Sequence, residues 1–288
     1  MAIKSGAYTK SRRKQPETTP FAERRKMIGK HLGFGATEAY KLLRTNLIFS
    51  MADKDGSKII GVTSALRGEG KSTTSINLAY TLAQSGKRVL LIEGDMRIPV
   101  VASVLRIQNN IGLSHVLVGI NSLNEAIHQS VLIDNMYVLP AGEIPPNPSE
   151  LLSSRRMEQI LEALTSTFEY IIIDLPPVNA VSDSLAISRL LSGMIMVVCQ
   201  DYCDQQSLAE AMRRMELLQI KVLGFVLNGA ESAEKRYKKY GRSQYKRANS
   251  YAYGYGKKGN GISVAVDADT ITTPIHSADT ERKSESDV

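Results

Sequence analysis

The chain has 288 residues, of which 43% are apolar, and a formal net charge of +7 at pH 7. This composition suits one large folded domain or two small ones. It excludes a disulfide framework, because there are only two cysteines. It also predicts no membrane-spanning helix, because no apolar run reaches the ~18–20 residues that such a helix needs.

Short apolar runs alternate with longer amphipathic segments through the middle of the chain. The predicted strands are residues 58–63, 89–93, 136–139, 170–174, 194–199 and 222–227, and the predicted helices are residues 37–49, 71–84, 148–165, 184–191 and 205–218. Continuous apolar strands that alternate with helices predict an α/β fold with a mostly parallel central sheet flanked by helices. Ligands of such folds bind at the carboxyl ends of the strands.

A glycine-rich segment, TSALRGEGKST, follows the first predicted strand and fits a phosphate-binding P-loop with Ala65 at the usual first glycine. Gly68 and Gly70 allow the backbone to curl so that its N–H groups point at phosphate oxygens. Lys71 supplies a cation for the β- and γ-phosphates, and the Ser72 hydroxyl is a ligand for Mg²⁺. The predicted nucleotide-binding residues of this loop are Gly68, Glu69, Gly70, Lys71, Ser72 and Thr73.

Three acidic residues end two of the predicted strands. Asp174 matches the Walker B aspartate, which holds Mg²⁺ directly or through water. Glu93 and Asp95 are two residues apart, so in an extended strand they face the same side. We therefore expect both at the phosphate–metal site, one of them accepting a hydrogen bond from the attacking hydroxyl. The alternatives are an ordinary strand-end aspartate for Asp174 and a solvated loop for the other two.

Three further polar residues are weaker candidates. Arg97 is expected to pair with one of the nearby acids or with phosphate. Asp183 is a second-rank acidic candidate or the cap of the helix that begins at residue 184. Asn228 ends the last predicted strand and is expected to contact the base of the nucleotide.

Six of the twelve tyrosines lie within one 19-residue stretch. They are Tyr237, Tyr240, Tyr245, Tyr251, Tyr253 and Tyr255. Residues 235–258 also contain nine lysines or arginines and no acidic residue, so this stretch cannot bury enough apolar surface to form a core. The tyrosines are therefore predicted to be displayed, either as phosphate acceptors or as stacking platforms for a nucleic acid.

Composition divides the chain into four parts. Residues 1–35 are predicted to be a basic, largely disordered segment, and residues 36–232 the folded domain. Residues 233–258 form the tyrosine-rich basic tail, and residues 259–288 are predicted to be an acidic disordered tail.

Together these motifs resemble those of the bacterial tyrosine kinases of capsule and exopolysaccharide synthesis (BY-kinases). The resemblance covers residues 36–256 and rests on the P-loop, the motif LIEGDMR at residues 91–97, the strand end IDLPP at residues 173–177 and the tyrosine cluster. It implies the Gram-positive split type, in which the kinase is a chain separate from its membrane-spanning adaptor.

The resemblance also implies a P-loop NTPase fold, ATP and Mg²⁺ as cofactors, and a set of site residues. The catalytic residues would be Lys71, Glu93, Asp95 and Asp174, the metal ligands Ser72, Glu93 and Asp174, and the phosphate acceptors the six clustered tyrosines. The family's second acidic motif usually begins with Asp, whereas this chain has Glu93.

Partners and location follow from the same resemblance. Family members phosphorylate each other within a ring-shaped homo-oligomer, through an interface motif Glu-x-x-Arg-x-x-Arg that here is Glu38, Lys41 and Arg44. The implied partners are a transmembrane polysaccharide-chain-length adaptor and a cognate phosphotyrosine phosphatase. The implied location is the cytoplasm, at the inner face of the cell membrane.

Two other functions fit part of the sequence. A partition or septum-positioning P-loop ATPase would lack kinase activity, but such proteins typically carry a second lysine near the start of the loop, where this chain has Leu66. A nucleic-acid binder would use the basic, tyrosine-rich tail. Only the tail favours that function, so we expect no nucleic-acid partner.

Overall fold

The computed structural model describes residues 21–52, 56–108 and 111–230, and the backbone of residues 263–265. Its strands are β1 Lys58–Ser64, β2 Val89–Glu93, β3 His128–Gln129, β4 Met136–Leu139, β5 Tyr170–Asp174, β6 Gly193–Cys199, β7 Val222–Asn228 and β8 Ser263–Ala265. They form one sheet in the order β3-β4-β2-β5-β1-β6-β7-β8. The six inner strands are parallel to their neighbours, and the edge strands β3 and β8 are antiparallel.

The α-helices are α1 Phe21–Arg25, α2 Phe34–Ser50, α3 Lys71–Gln84, α4 Val101–Leu105, α5 Leu113–Val118, α6 Leu123–Ala126, α7 Pro148–Leu152, α8 Arg155–Thr165, α9 Asp183–Ala186 and α10 Gln205–Leu217. Gly29–His31 and Ser188–Leu190 form 3₁₀ turns. Among the described residues, no helix combines the length and apolarity needed to cross a bilayer.

Both faces of the sheet are covered, which explains why the inner strands are apolar throughout. In β5, Ile171 and Ile173 belong to one buried cluster and Ile172 to the other, as the alternation of side chains along a strand requires. Helix α3 covers one face and α8 the other. The predicted α/β fold with a mostly parallel sheet is confirmed.

The single helix predicted over residues 148–165 is in fact two helices. Helix α7 ends at Leu152, and α8 begins after Ser154, whose hydroxyl accepts a hydrogen bond from the N–H of Met157 at 3.2 Å. This N-cap starts a new helix where the apolar periodicity alone had indicated one continuous helix. The helix predicted over residues 184–191 is likewise a short α9 followed by a 3₁₀ turn.

The folded domain begins earlier than residue 36. Ile28 is only 3% exposed, and the Asn77 side chain of α3 accepts from the N–H of Gly29 and donates to the carbonyl of Met27, both at 2.9 Å. Residues 21–35 are therefore part of the domain and not of a disordered segment, while residues 1–20 lie outside the described residues. Strand β8, which pairs with β7, falls within the predicted acidic tail.

Candidate active site

The P-loop connects β1 to α3 at the carboxyl edge of the sheet. Gly68 and Gly70 have φ angles of 90° and 93°, in the left-handed region that favours glycine. A Cβ atom on Gly70 would lie 2.0 Å from Nδ2 of Asn228, so a larger residue would have to displace the Asn228 amide. Lys71, Ser72 and the adjoining Thr73 form the first turn of α3, where backbone N–H groups are available to an anion.

Lys71 is almost buried and points at two carboxylates. Its Nζ lies 2.8 Å from Oδ2 of Asp95 and 3.7 Å from Oδ1 of Asp174, and it donates to Oγ of Ser72 at 3.4 Å. Burial alone would lower the pKa of Lys71, but the carboxylates outweigh it and raise the pKa. The structure therefore brings together three of the four predicted catalytic residues.

Asp174 is fully buried at the end of β5. Its Oδ1 accepts from the hydroxyl of Ser75 at 3.2 Å, and the Ser72 hydroxyl lies beside this carboxylate. Its Oδ2 is buried without a hydrogen-bond partner among the described residues. Burial raises the pKa of Asp174, against the charge of Lys71. A buried carboxylate oxygen without a partner, beside a serine hydroxyl, matches the oxygen ligands that Mg²⁺ prefers.

Glu93 is directed elsewhere. Its Oε1 accepts from the backbone N–H groups of Val100 and Val101, and its Oε2 from that of Ala141 at 3.3 Å. Burial raises the pKa of Glu93 to about 7, while these hydrogen bonds lower it. The expectation that Glu93 and Asp95 point at one site is wrong, since one carboxylate binds backbone amides and the other binds Lys71. The described residues contain no group of three His, Cys, Asp or Glu arranged to hold a metal ion.

The side chain of Glu69 turns into the protein. It is fully buried, and its carboxylate accepts from the N–H groups of Leu66 at 2.7 Å and of Cys199 at 3.2 Å. Only its backbone is therefore placed to contact a nucleotide. Asn228 donates from Nδ2 to the carbonyl of Glu69 at 2.8 Å. The structure therefore places this side chain against the P-loop backbone, whereas the sequence predicted a contact with the base of the nucleotide.

Arg97 and Asp183 form an ion pair with two hydrogen bonds, of 2.8 and 3.0 Å. Asp183 is fully buried, and the Arg97 side chain is 41% exposed. Ser182, and not Asp183, occupies the N-cap position of α9. The pair thus links the loop that follows β2 to the start of α9.

The predicted interface residues separate into two groups. Glu38 and Lys41 form an exposed ion pair of 2.8 Å on the surface of α2. Arg44 donates to the carbonyl of Thr81 on α3 at 2.9 Å, so it packs within the domain. All six predicted phosphate acceptors lie outside the described residues.

Sequence reasoning missed two groups of contacts to the site. Ser75, one helical turn after Lys71, binds Asp174, and its spacing in α3 was a usable signal. The end of β6 and the turn after it contact the P-loop through Cys199 and through the Tyr202 hydroxyl, which donates to the carbonyl of Arg67 at 2.8 Å. No local pattern indicates these contacts, because the partners are more than a hundred residues apart.

Residues 57–222 match the family model described as an AAA domain. The chain is 36% identical over 206 residues to tyrosine-protein kinase YwqD of Bacillus subtilis strain 168, covering 71% of this chain and 86% of that protein. The kinase domain of Escherichia coli tyrosine kinase ETK is 32% identical with a TM-score of 0.65, covering 76% of this chain and 80% of that domain. The septum site-determining protein MinD of Pyrococcus horikoshii, solved with Mg-ADP, is more distant: 26% identical with a TM-score of 0.51, covering 59% and 69%.

Proposed function

The chain belongs to the family of bacterial tyrosine-protein kinases, and from this premise we propose that it uses ATP and Mg²⁺ to phosphorylate its own C-terminal tyrosine cluster. Protein-tyrosine kinase activity follows from membership of the family. The observation that carries the proposal is the convergence of Lys71, Asp95 and Asp174 beside the P-loop. A cation and two carboxylates at the mouth of a phosphate cradle suit phosphoryl transfer.

The residues present fit a metal–nucleotide site. Ser72 and Asp174 would hold Mg²⁺, because the Ser72 hydroxyl lies beside the carboxylate and Oδ2 of Asp174 has no hydrogen-bond partner in the part of the chain that the structure describes. When bound, Mg²⁺ neutralises charge on the β- and γ-phosphates. Glu93 is proposed to position the loops around Val100 and Ala141, since both of its oxygens are already hydrogen-bonded.

Lys71 and Asp95 divide the remaining work. Lys71 would move from the carboxylates to the phosphate oxygens and stabilise the charge that develops on the transferred group. Asp95 would then accept a hydrogen bond from the attacking tyrosine hydroxyl. A tyrosine hydroxyl has an ordinary pKa of about 10, so the carboxylate acts mainly by orienting it.

The acceptors are proposed to be Tyr237, Tyr240, Tyr245, Tyr251, Tyr253 and Tyr255, modified in trans within a ring. The nine basic residues of segment 235–258 support docking to an acidic surface. Six phosphotyrosines would add about −9 to −12 charges and would therefore cancel or reverse the positive charge of this segment. Phosphorylation is therefore expected to release the segment and to weaken the oligomer. Glu38 and Lys41 are proposed to lie at the contact between protomers, because both side chains are exposed.

The remaining proposals rest on family resemblance. The kinase would work with a transmembrane polysaccharide-chain-length adaptor at the inner face of the cell membrane and regulate capsular or exopolysaccharide synthesis. A phosphotyrosine phosphatase would reverse the modification. No nucleic acid is expected to take part.

The test is incubation of the purified chain with Mg²⁺ and γ-labelled ATP, with and without an adaptor's cytoplasmic segment, followed by phosphotyrosine analysis. Lys71→Met and a variant with all six clustered tyrosines replaced by phenylalanine are run in parallel. Label on tyrosine that disappears in both variants supports the whole proposal. Label that persists in the six-phenylalanine variant refutes the acceptor assignment, and phosphate release without labelled tyrosine would indicate a MinD-type ATPase.

A further inference from the structure

The end of β6 and the turn that follows it contact the P-loop at several points. The N–H of Cys199 donates to the carboxylate of Glu69 at 3.2 Å, and the hydroxyl of Tyr202 donates to the carbonyl of Arg67 at 2.8 Å. The thiol of Cys203 in the same turn donates to the carbonyl of Asp204 at 3.7 Å. The carboxylate of Glu69 also accepts a hydrogen bond from the N–H of Leu66. The segment of residues 199–204 is therefore linked to the loop at Leu66, Arg67 and Glu69.

These contacts determine which way the peptide groups of the loop face. In a trans peptide the C=O of one residue and the N–H of the next point in opposite directions. The donor on the carbonyl of Arg67 therefore fixes the N–H of Gly68. Asn228 donates to the carbonyl of Glu69 at 2.8 Å, and it fixes the N–H of Gly70 in the same way. In a P-loop, backbone N–H groups such as these receive phosphate oxygens.

Glu69 anchors this linkage inside the protein. It is fully buried, and a buried carboxylate that loses a donor is costly.

We infer that the segment of residues 199–204 orients the P-loop for ATP, and that Tyr202 is a positioning residue for nucleotide binding. Its side chain does not need to touch the nucleotide. It acts through the peptide groups of the loop, and the glycines at positions 68 and 70 would otherwise leave those groups free to rotate. The inference rests on the proposed function only in taking ATP as the nucleotide.

The test is calorimetric titration of the full chain with Mg-ATP. We expect Tyr202→Phe to raise the Kd for ATP about 2- to 10-fold, the equivalent of one hydrogen bond. The matched control is Tyr137→Phe, which removes a hydroxyl from a half-buried tyrosine of β4 that packs on Phe168, and its Kd should not change.

A second readout separates positioning from a general structural role. A positioning role leaves kcat at saturating ATP and the KM for a tyrosine peptide unchanged while the KM for ATP rises. If Tyr202→Phe lowers only the melting temperature and binds ATP as the wild type does, the inference is wrong. If the wild type itself binds no ATP, the proposed function fails first, and the inference fails with it.

Discussion

The ammonium group of Lys71 lies 2.8 Å from Oδ2 of Asp95, with both side chains largely shielded from solvent at 11% and 8% exposure. In the proposed mechanism, Lys71 exchanges this carboxylate partner for phosphate oxygens when ATP binds. The exchange would leave Asp95 without its ammonium partner close to the transferred phosphoryl group, where the acceptor hydroxyl would arrive. One ion pair would thus connect nucleotide binding with activation of the acceptor.

This pairing predicts different effects for its two members. Lys71→Met should reduce phosphotyrosine formation at least about 100-fold, because the charge of the transition state loses its cation. Asp95→Asn should leave the Kd for ATP equal or lower, since Lys71 is released, while kcat falls. The measurements are ATP titration and single-turnover transfer of labelled phosphate.

The control for the lysine is Lys87→Met. Lys87 pairs with Glu169 at 2.8 Å, but both side chains are at least 41% exposed, and such a pair contributes little to stability. Its loss should change neither ATP binding nor transfer. A wild-type transfer rate in Asp95→Asn would contradict the role proposed for Asp95.

Alanine substitutions at two glycines separate the effect of φ strain from the effect of a steric clash. Gly70 and Gly86 both have left-handed φ angles, of 93° and 87°. A Cβ on Gly70 would meet Asn228, whereas a Cβ on Gly86 would meet nothing within 4 Å. Gly86→Ala should lower the free energy of unfolding by about 1–2 kcal/mol through φ strain alone. Gly70→Ala should cost more and should abolish ATP binding.

The double variant Gly70→Ala/Asn228→Ala tests the collision directly. Removing the Asn228 amide opens space for the new methyl group, so the double variant should regain part of the stability lost in Gly70→Ala. The measurement is urea unfolding of all the variants. If the stability loss of the double variant equals the sum of the losses of the two single variants, the Asn228 contact is not the cause of the loss in Gly70→Ala.

Much of the fold was predictable because its signals are local. The strand bounds 89–93, 136–139 and 170–174 are identical in prediction and structure, since these runs are buried on both faces and leave no alternation to misinterpret. The P-loop was predictable because its residues are contiguous in sequence.

The direction of Glu93 was not predictable from its spacing. The two-residue rule holds only while the chain stays extended, and β2 ends at Glu93. Beyond it, the N–H groups of Gly94 and Asp95 both donate to the carbonyl of Asp174, at 2.8 and 3.0 Å. This turn of the backbone separates the two carboxylates, and only the neighbouring strand determines it.

The environment of Glu93 predicts the effect of Glu93→Asp, the residue usual in the family. The shorter side chain withdraws the carboxylate from the N–H groups of Val101 and Ala141. Buried N–H groups without acceptors should lower the free energy of unfolding by about 1–3 kcal/mol. Urea unfolding measures this loss, with Glu158→Asp on the exposed face of α8 as the control. A variant as stable as the wild type would contradict the assignment of Glu93 as a loop-positioning residue.

The thiol of Cys203 gives a prediction about pH. Its pKa is raised from the ordinary value of 9.0 to about 12 by burial and by the carboxylate of Glu69. The folded protein therefore binds this proton more tightly than the unfolded chain does, so stability falls as the pH rises from about 9 toward 12.

In a Cys199→Ser background, alkylation of Cys203 by iodoacetamide at pH 8.5 should be at least about tenfold slower in the folded protein than in urea, because the thiolate is the reactive form. Glu69→Gln removes the neighbouring charge and should speed the reaction while the protein stays folded, whereas equal rates in folded and unfolded protein would contradict the raised pKa of this thiol.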